Sequence, residues 1–154
     1  AAKTARKVVE VTRTYFTLDS LEYLKKGGRI GPTQALVGGI LGLRPVLQVV
    51  DGNIASLDKV RGKKKVISML QTSIVDVLQD VKNEVNIAVG QIQDEASSTL
   101  LKSGIEKNLD MTITNEIVEV GVTIGTHAGP GAMAISYCKK YEAILAAEKV
   151  ALAV

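Results

Sequence analysis

Apolar residues recur at alternating steps of three and four from Val66 to Val81: Val66, Met69, Leu70, Ile74, Val77, Leu78 and Val81, with Ser73 filling one place in the stripe. That spacing puts them on one face of a helix and predicts the longest helix of the chain over 63–82. Elsewhere the period falls to two. Residues 85–92 set Ile87, Val89 and Gln91 on one side, and 13–18 is rich in β-branched and aromatic side chains, so both predict strands. Residues 46–50 and 53–57 predict two strands joined by Asp51-Gly52, the strongest hairpin signal in the chain. Residues 111–118 and 132–138 complete a set of six strands. Helices are predicted over 1–11, over 20–26 with Asp19 and Glu22 as a capping box, and over 33–41 after Pro32. Others are predicted from Asp94 to about Asn108, briefly over 122–126, and over the tail 139–154, where Tyr141, Ile144 and Leu145 are placed to dock. Gly27-Gly28 stops the second helix. Helices interleave with strands, including a hairpin. The predicted fold class is therefore α+β: one mixed, largely antiparallel six-stranded sheet with helices packed on it.

The 154 residues suit a single domain with a sizeable core. With one Phe, four Tyr and no Trp, that core must be built from Val, Ile, Leu and Ala. A lone cysteine, Cys138, excludes an internal disulfide framework, fits a reducing compartment and reads as a small hydrophobe at a strand end. The formal charge of +3 and the scarcity of aromatics argue against a nucleic-acid binder. No apolar run reaches a membrane span, and 1–10 lacks the apolar stretch of a secretory signal, so a cytoplasmic protein is expected. The first residue is Ala, which suggests either a chain cut from something longer or an initiator Met removed before a small residue.

Candidate chemistry is sparse. Phosphate-binding glycine loops and the nucleophile-elbow signature are absent from the sequence. One His and one Cys make a zinc site improbable. The only histidine sits in Gly125-Thr-His127-Ala-Gly129-Pro-Gly131, read as a rigid glycine loop that brings an imidazole and main-chain N–H groups toward an anionic ligand. The densest basic stretch, Lys59-Val-Arg61-Gly-Lys63-Lys64-Lys65, opens the long helix, where cations oppose the helix dipole. It reads equally as a solvated face or a partner surface.

Four blocks occur together in order: Leu21-Glu-Tyr-Leu-Lys-Lys-Gly-Gly-Arg-Ile-Gly31, Arg44-Pro-Val-Leu with the Asp51-Gly52 hairpin, Lys59-Val-Arg61, and His127-Ala-Gly-Pro-Gly131. From about Thr12 to Tyr137 the chain resembles the C-terminal half of the DegV family, bacterial fatty-acid-binding proteins. It departs from the family pattern at Ala128, where Thr or Val is commoner, and in its longer tail over 139–154. The resemblance implies a two-domain protein with a long-chain acyl group buried between and within the domains, the N-terminal domain being absent from this chain. It implies a carrier and not an enzyme, with no cofactor and no metal. FakB-like members present the bound acid to a fatty acid kinase. Carried over residue by residue, Arg29 and His127, with Gly129 and Gly131, would face the acyl head group. Arg61, with Lys63, Lys64 and Lys65, would face the kinase. Two other classes stay open: an acyl hydrolase or transferase using His127 as base, and a non-enzymatic interaction module.

Overall fold

The computed structural model describes residues 2–36 and 42–151. The six strands are β1 (Arg13–Thr17), β2 (Leu43–Val50), β3 (Asn53–Arg61), β4 (Val85–Gln91), β5 (Val118–Glu119) and β6 (Met133–Lys139). The helices are α1 (Ala2–Val11), α2 (Glu22–Lys26), α3 (Lys63–Leu78), α4 (Glu95–Leu109), α5 (Val122–Ala128) and α6 (Tyr141–Ala151). The strands form one sheet in the order β3-β2-β1-β6-β4-β5. Every neighbouring pair is antiparallel except β4 and β5, so the expected mixed, largely antiparallel sheet is what the chain builds. The β2–β3 hairpin turns at Asp51 and Gly52, whose φ values of 48° and 75° are the two positive angles that a type I′ turn requires.

Strand alternation divides the apolar residues between two layers. Val85, Ile87 and Val89 of β4, Ile135 of β6 and Val46 of β2 point to one face of the sheet. Val66, Ile67, Leu70, Ile74 and Leu78 of α3, with Leu101, Ile105 and Leu109 of α4, cover it. Tyr15 and Tyr137 stack at the edge of this core with ring centroids 6.4 Å apart. On the opposite face a smaller cluster, Leu18, Leu24, Leu47 and Ala132, holds α2 and α5 over one end of the sheet. Beyond that cap the same face carries an open cleft.

Several expectations are corrected. The strand expected over 111–118 shrinks to Val118–Glu119. The segment before it is pinned by side chains instead: Ile113 N–H donates to Glu106 Oε1 at 2.9 Å, and Asn115 Nδ2 donates to the Ile87 carbonyl at 2.6 Å. Asp19 makes no capping box. Helix α2 begins after Leu21, and the Asp19 carboxylate pairs with Arg44 at the start of β2. The long helix ends at Leu78, with Ile67 buried and Val77 half-exposed, because a 3₁₀ turn at Lys82–Glu84 leads into β4. Only a 3₁₀ turn, Gly31–Leu36, stands at the start of the helix expected over 33–41, and 37–41 lie outside the described residues. The second hairpin strand runs on to Arg61, and β6 continues to Lys139 before the tail turns helical at Tyr141. Of the three docking residues expected in that tail, Ile144 is buried while Tyr141 is half-exposed.

Candidate binding cleft

In mid-sheet, the face opposite the α3–α4 core carries small side chains where the core face carries large ones. In register across β1, β6 and β4 lie two rows, Phe16–Ala134–Gly90 and Thr14–Ser136–Ala88. Their counterparts one residue along, Tyr15, Ile135 and Val89, belong to the helix-covered core. Removing side-chain volume from the middle of a sheet face leaves a trough. Val49 and Ile54 wall it on one side, Val118, Val120 and Ile124 on the other, and the α2–α5 cap closes its end. The resulting cleft has a volume of about 650 Å³ and an almost wholly apolar lining. That is within the range of sites for drug-sized and cofactor-sized ligands.

Polar groups are few and concentrated. At the capped end Arg29 and His127 both line the cleft. Ala132, at the level of the cap, and Ser136 are four residues apart on β6, about 13 Å at strand rise. At that far level Thr14 Oγ1 and Ser136 Oγ share a hydrogen bond of 2.8 Å, so these two hydroxyls largely satisfy each other. The cleft is thus an apolar trough with two cationic or donor side chains at one end.

How the chain delivers those two groups is visible locally. Gly28, at φ 66°, ends α2: its N–H donates to the Lys25 carbonyl and the Arg29 N–H to the Leu24 carbonyl, the pair of bonds of a Schellman stop. Arg29 follows directly, and its Nη1 donates to the Gly27 carbonyl at 3.0 Å. His127 is not on a loop, as its glycine-rich surroundings imply, but in the last turn of α5. That turn is closed by Gly129 N–H donating to the Gly125 carbonyl at 2.8 Å. Its Nδ1 is buried against Gly27 without a hydrogen-bond partner.

Gly129 and Gly131 have positive φ angles of 75° and 77°, as expected of the loop. Neither lines the cleft. Gly129 lies under the Tyr23 ring and Gly131 against the Asp19 carboxylate, so close that a methyl group at either would overlap them. These glycines anchor the end of α5 to α2, and thereby hold His127 in place.

The basic stretch is split. Arg61, Lys64 and Lys65 are exposed. Lys63 is half-buried and its Nζ donates to Asp94 Oδ2 at 2.6 Å, joining the N-terminus of α3 to that of α4. Burial raises the Asp94 pKa, but the Lys63 ammonium and the Ser97 N–H and hydroxyl outweigh it and hold the carboxyl below the usual carboxylate range. Among the described residues no group of His, Cys, Asp and Glu is placed to hold a metal ion.

Arg29 and His127, which the family resemblance places at an acyl head group, both line the cleft, whereas its floor was not anticipated. The signal was present: small residues alternate in Ala88 and Gly90 and again in Ala134 and Ser136, opposite the large ones. Gly27 was also missed as a packing residue, because its neighbour in space is far along the chain.

Residues 1–140 match the DegV family, described as a family of uncharacterised proteins. The chain belongs to the DegV family. Among its curated relatives, a DegV domain-containing protein of Clostridium perfringens is 34% identical over 132 residues, covering 85% of this chain and 46% of the relative. One of Clostridium acetobutylicum is 38% identical over 143 residues, covering 86% and 46%. Among solved structures, a stearic acid-binding protein of Eubacterium ventriosum superposes with a TM-score of 0.82 at 28% identity, covering 92% of this chain and 49% of that one. A fatty-acid-binding DegV protein of Streptococcus agalactiae gives 0.80 at 28% identity, covering 90% and 48%. This DegV chain spans about half the length of the relatives it matches.

Proposed function

We propose that this chain forms one wall of a long-chain fatty-acid site and acts as a carrier, presenting the acyl carboxylate to a fatty acid kinase. The observation that carries the reading is the cleft itself: an apolar trough of about 650 Å³ with Arg29 and His127 at one end. A hydrocarbon chain gains about 0.8 kcal/mol for each CH₂ taken from water, and a guanidinium suits a carboxylate. The stearic acid-binding and fatty-acid-binding structures that the chain resembles support the ligand class.

The trough is open on the side away from the sheet. In this reading a second domain, of the size that fills the other half of the relatives, supplies the opposite wall. One wall makes contact with half of the ligand surface. For the roughly sixteen methylenes of stearic acid that is about 6 kcal/mol before the cost of association, which is of similar size. The two nearly cancel, so the chain by itself is expected to bind long-chain acids weakly or not at all.

His127 fits a ligand contact better than a base. A histidine that takes a proton from a nucleophile is ordinarily oriented by a hydrogen bond at its far nitrogen. Here Nδ1 lies against Gly27 with no such bond. The kinase-facing role falls to the exposed cations Arg61, Lys64 and Lys65, since Lys63 is committed to Asp94. In the two-domain protein, alanine at those three positions weakens kinase association and lowers its salt dependence while acyl loading stays intact. A parallel fall in loading would mean the cluster is structural.

The test of the carrier reading is mass spectrometry of lipid extracted from the chain joined to a second DegV domain. Stoichiometric long-chain acid, released unchanged, is expected. A chemically altered acyl product made by the protein alone would favour the enzyme instead.

A further inference from the structure

Gly27 has no conformational reason to be glycine. Its φ of −80° and ψ of −1° are open to any residue, and at the end of a helix alanine is the better helix former. The helix stop belongs to its neighbour Gly28, which has the positive φ and has nothing near the position a side chain would take. What Gly27 does have, besides the Tyr23 carbonyl of its own turn 3.1 Å from where a methyl would sit, is His127 and Arg29 against it. A methyl group on its Cα would overlap His127 Nδ1 and come within 2.8 Å of Cε1, and its carbonyl accepts the hydrogen bond from Arg29 Nη1.

We propose that Gly27 is the positioning residue of the anion site at the capped end of the cleft: its missing side chain seats the His127 ring, and its carbonyl holds the Arg29 guanidinium beside it. The inference rests on the reading of that end as a carboxylate site. One backbone residue thereby sets the spacing of two side chains that come from different elements. It also selects the form of the ring. A buried N–H with no acceptor is costlier than a bare nitrogen against a CH₂ group. The neutral imidazole therefore keeps its proton on Nε2, the nitrogen left for a ligand. Gly27 touches no ligand in this scheme; it acts through His127 and Arg29.

The test is a cycle of four chains: wild type, Gly27→Ala, His127→Ala and the double variant, with Gly28→Ala as a control for helix termination. Two readouts are taken. The first, without ligand, is the ¹⁵N spectrum of the His127 ring, where the Nε2–H form is expected in wild type and in Gly28→Ala, and a displaced or mixed form in Gly27→Ala. The second, on the same variants of the chain joined to a second DegV domain, is binding of decanoate, with decanol as an uncharged probe of the trough. Gly27→Ala is expected to weaken decanoate binding roughly tenfold, about one charged hydrogen bond, and to leave decanol unchanged. In the His127→Ala background the same substitution is expected to add little, because the ring it displaces is gone. Should Gly27→Ala fail to fold, the double variant, with room for the methyl, is expected to fold.

An unmoved ring spectrum in Gly27→Ala overturns the proposal. So do losses that add in the double variant, or a double variant as unstable as the single one. A wild-type two-domain protein that binds neither probe would count against the carboxylate site, while the ring spectrum still decides whether Gly27 seats His127.

Discussion

Replacing Ala134 by Leu puts a side chain into the middle of the trough. Ala134 is in β6, between Phe16 of β1 and Gly90 of β4, on the face opposite the α3–α4 core, and lines the cleft. Leucine adds three carbons there and excludes about that many methylenes of a bound chain. At about 0.8 kcal/mol each, the loss is about 2–3 kcal/mol, or roughly thirty- to a hundredfold in affinity. Because the new side chain points away from the α3–α4 core, stability should stay within about 0.5 kcal/mol of wild type. The contrast is Ile135→Ala, one residue along and fully buried on the other face. That change should cost about 2–5 kcal/mol of stability and leave the affinity of the folded fraction alone. Displacement of a fluorescent fatty acid by oleate from the chain joined to a second DegV domain measures the affinity, and urea melts of the chain measure the stability. The reasoning is refuted if Ala134→Leu binds oleate as wild type does, or if it loses the 1–3 kcal/mol of an overpacked core.

Burial, with the neighbouring Tyr15 hydroxyl adding to it, pushes the Tyr137 phenol from its ordinary 10.0 up to about 12. Since the unfolded chain ionises first, stability should fall as pH rises from about 10 to about 12, and Tyr137→Phe should flatten that fall in alkaline melts. Asp94 works at the other end of the scale: its folded pKa is depressed, so its contribution is present above the ordinary carboxylate range and is lost as pH falls through the folded value. Asp94→Asn should remove that part of the acid dependence, and Lys63→Ala should cost about 1 kcal/mol at neutral pH. Gly129→Ala, which combines φ 75° with overlap on Tyr23, should lower the melting temperature by several degrees. Gly121→Ala, at φ −62° with open space around it, should leave the melting temperature nearly unchanged.

The strands and the main helices were legible because their apolar periods agree with the layers they pack into. Asp51-Gly52 marked the hairpin for a purely local reason. The misses share one cause, contacts made at long range. Met111-Thr-Ile-Thr has the composition of a strand, yet the Ile113 N–H goes to the Glu106 side chain and the Ile87 carbonyl of β4 accepts from the Asn115 side chain, and the segment joins no strand. Asp19 has cap chemistry, but Arg44 competes for it successfully. Of the candidate site, the two polar side chains were legible and the trough was not, since a cleft is made by what small residues leave out. Gly27 and Gly28 look alike in sequence; only His127 and a backbone angle tell them apart.

The central claim is that an acyl chain lies in the trough with its carboxylate at Arg29 and His127. Intermolecular NOEs from uniformly ¹³C-labelled oleate bound to the chain joined to a second DegV domain test it most directly. The methylene next to the carboxyl should contact the His127 ring, and protons farther along the acyl chain should contact Ala134, then Thr14 and Ser136. The reverse order, or contacts confined to the outer face of α3 and α4, would contradict the claim.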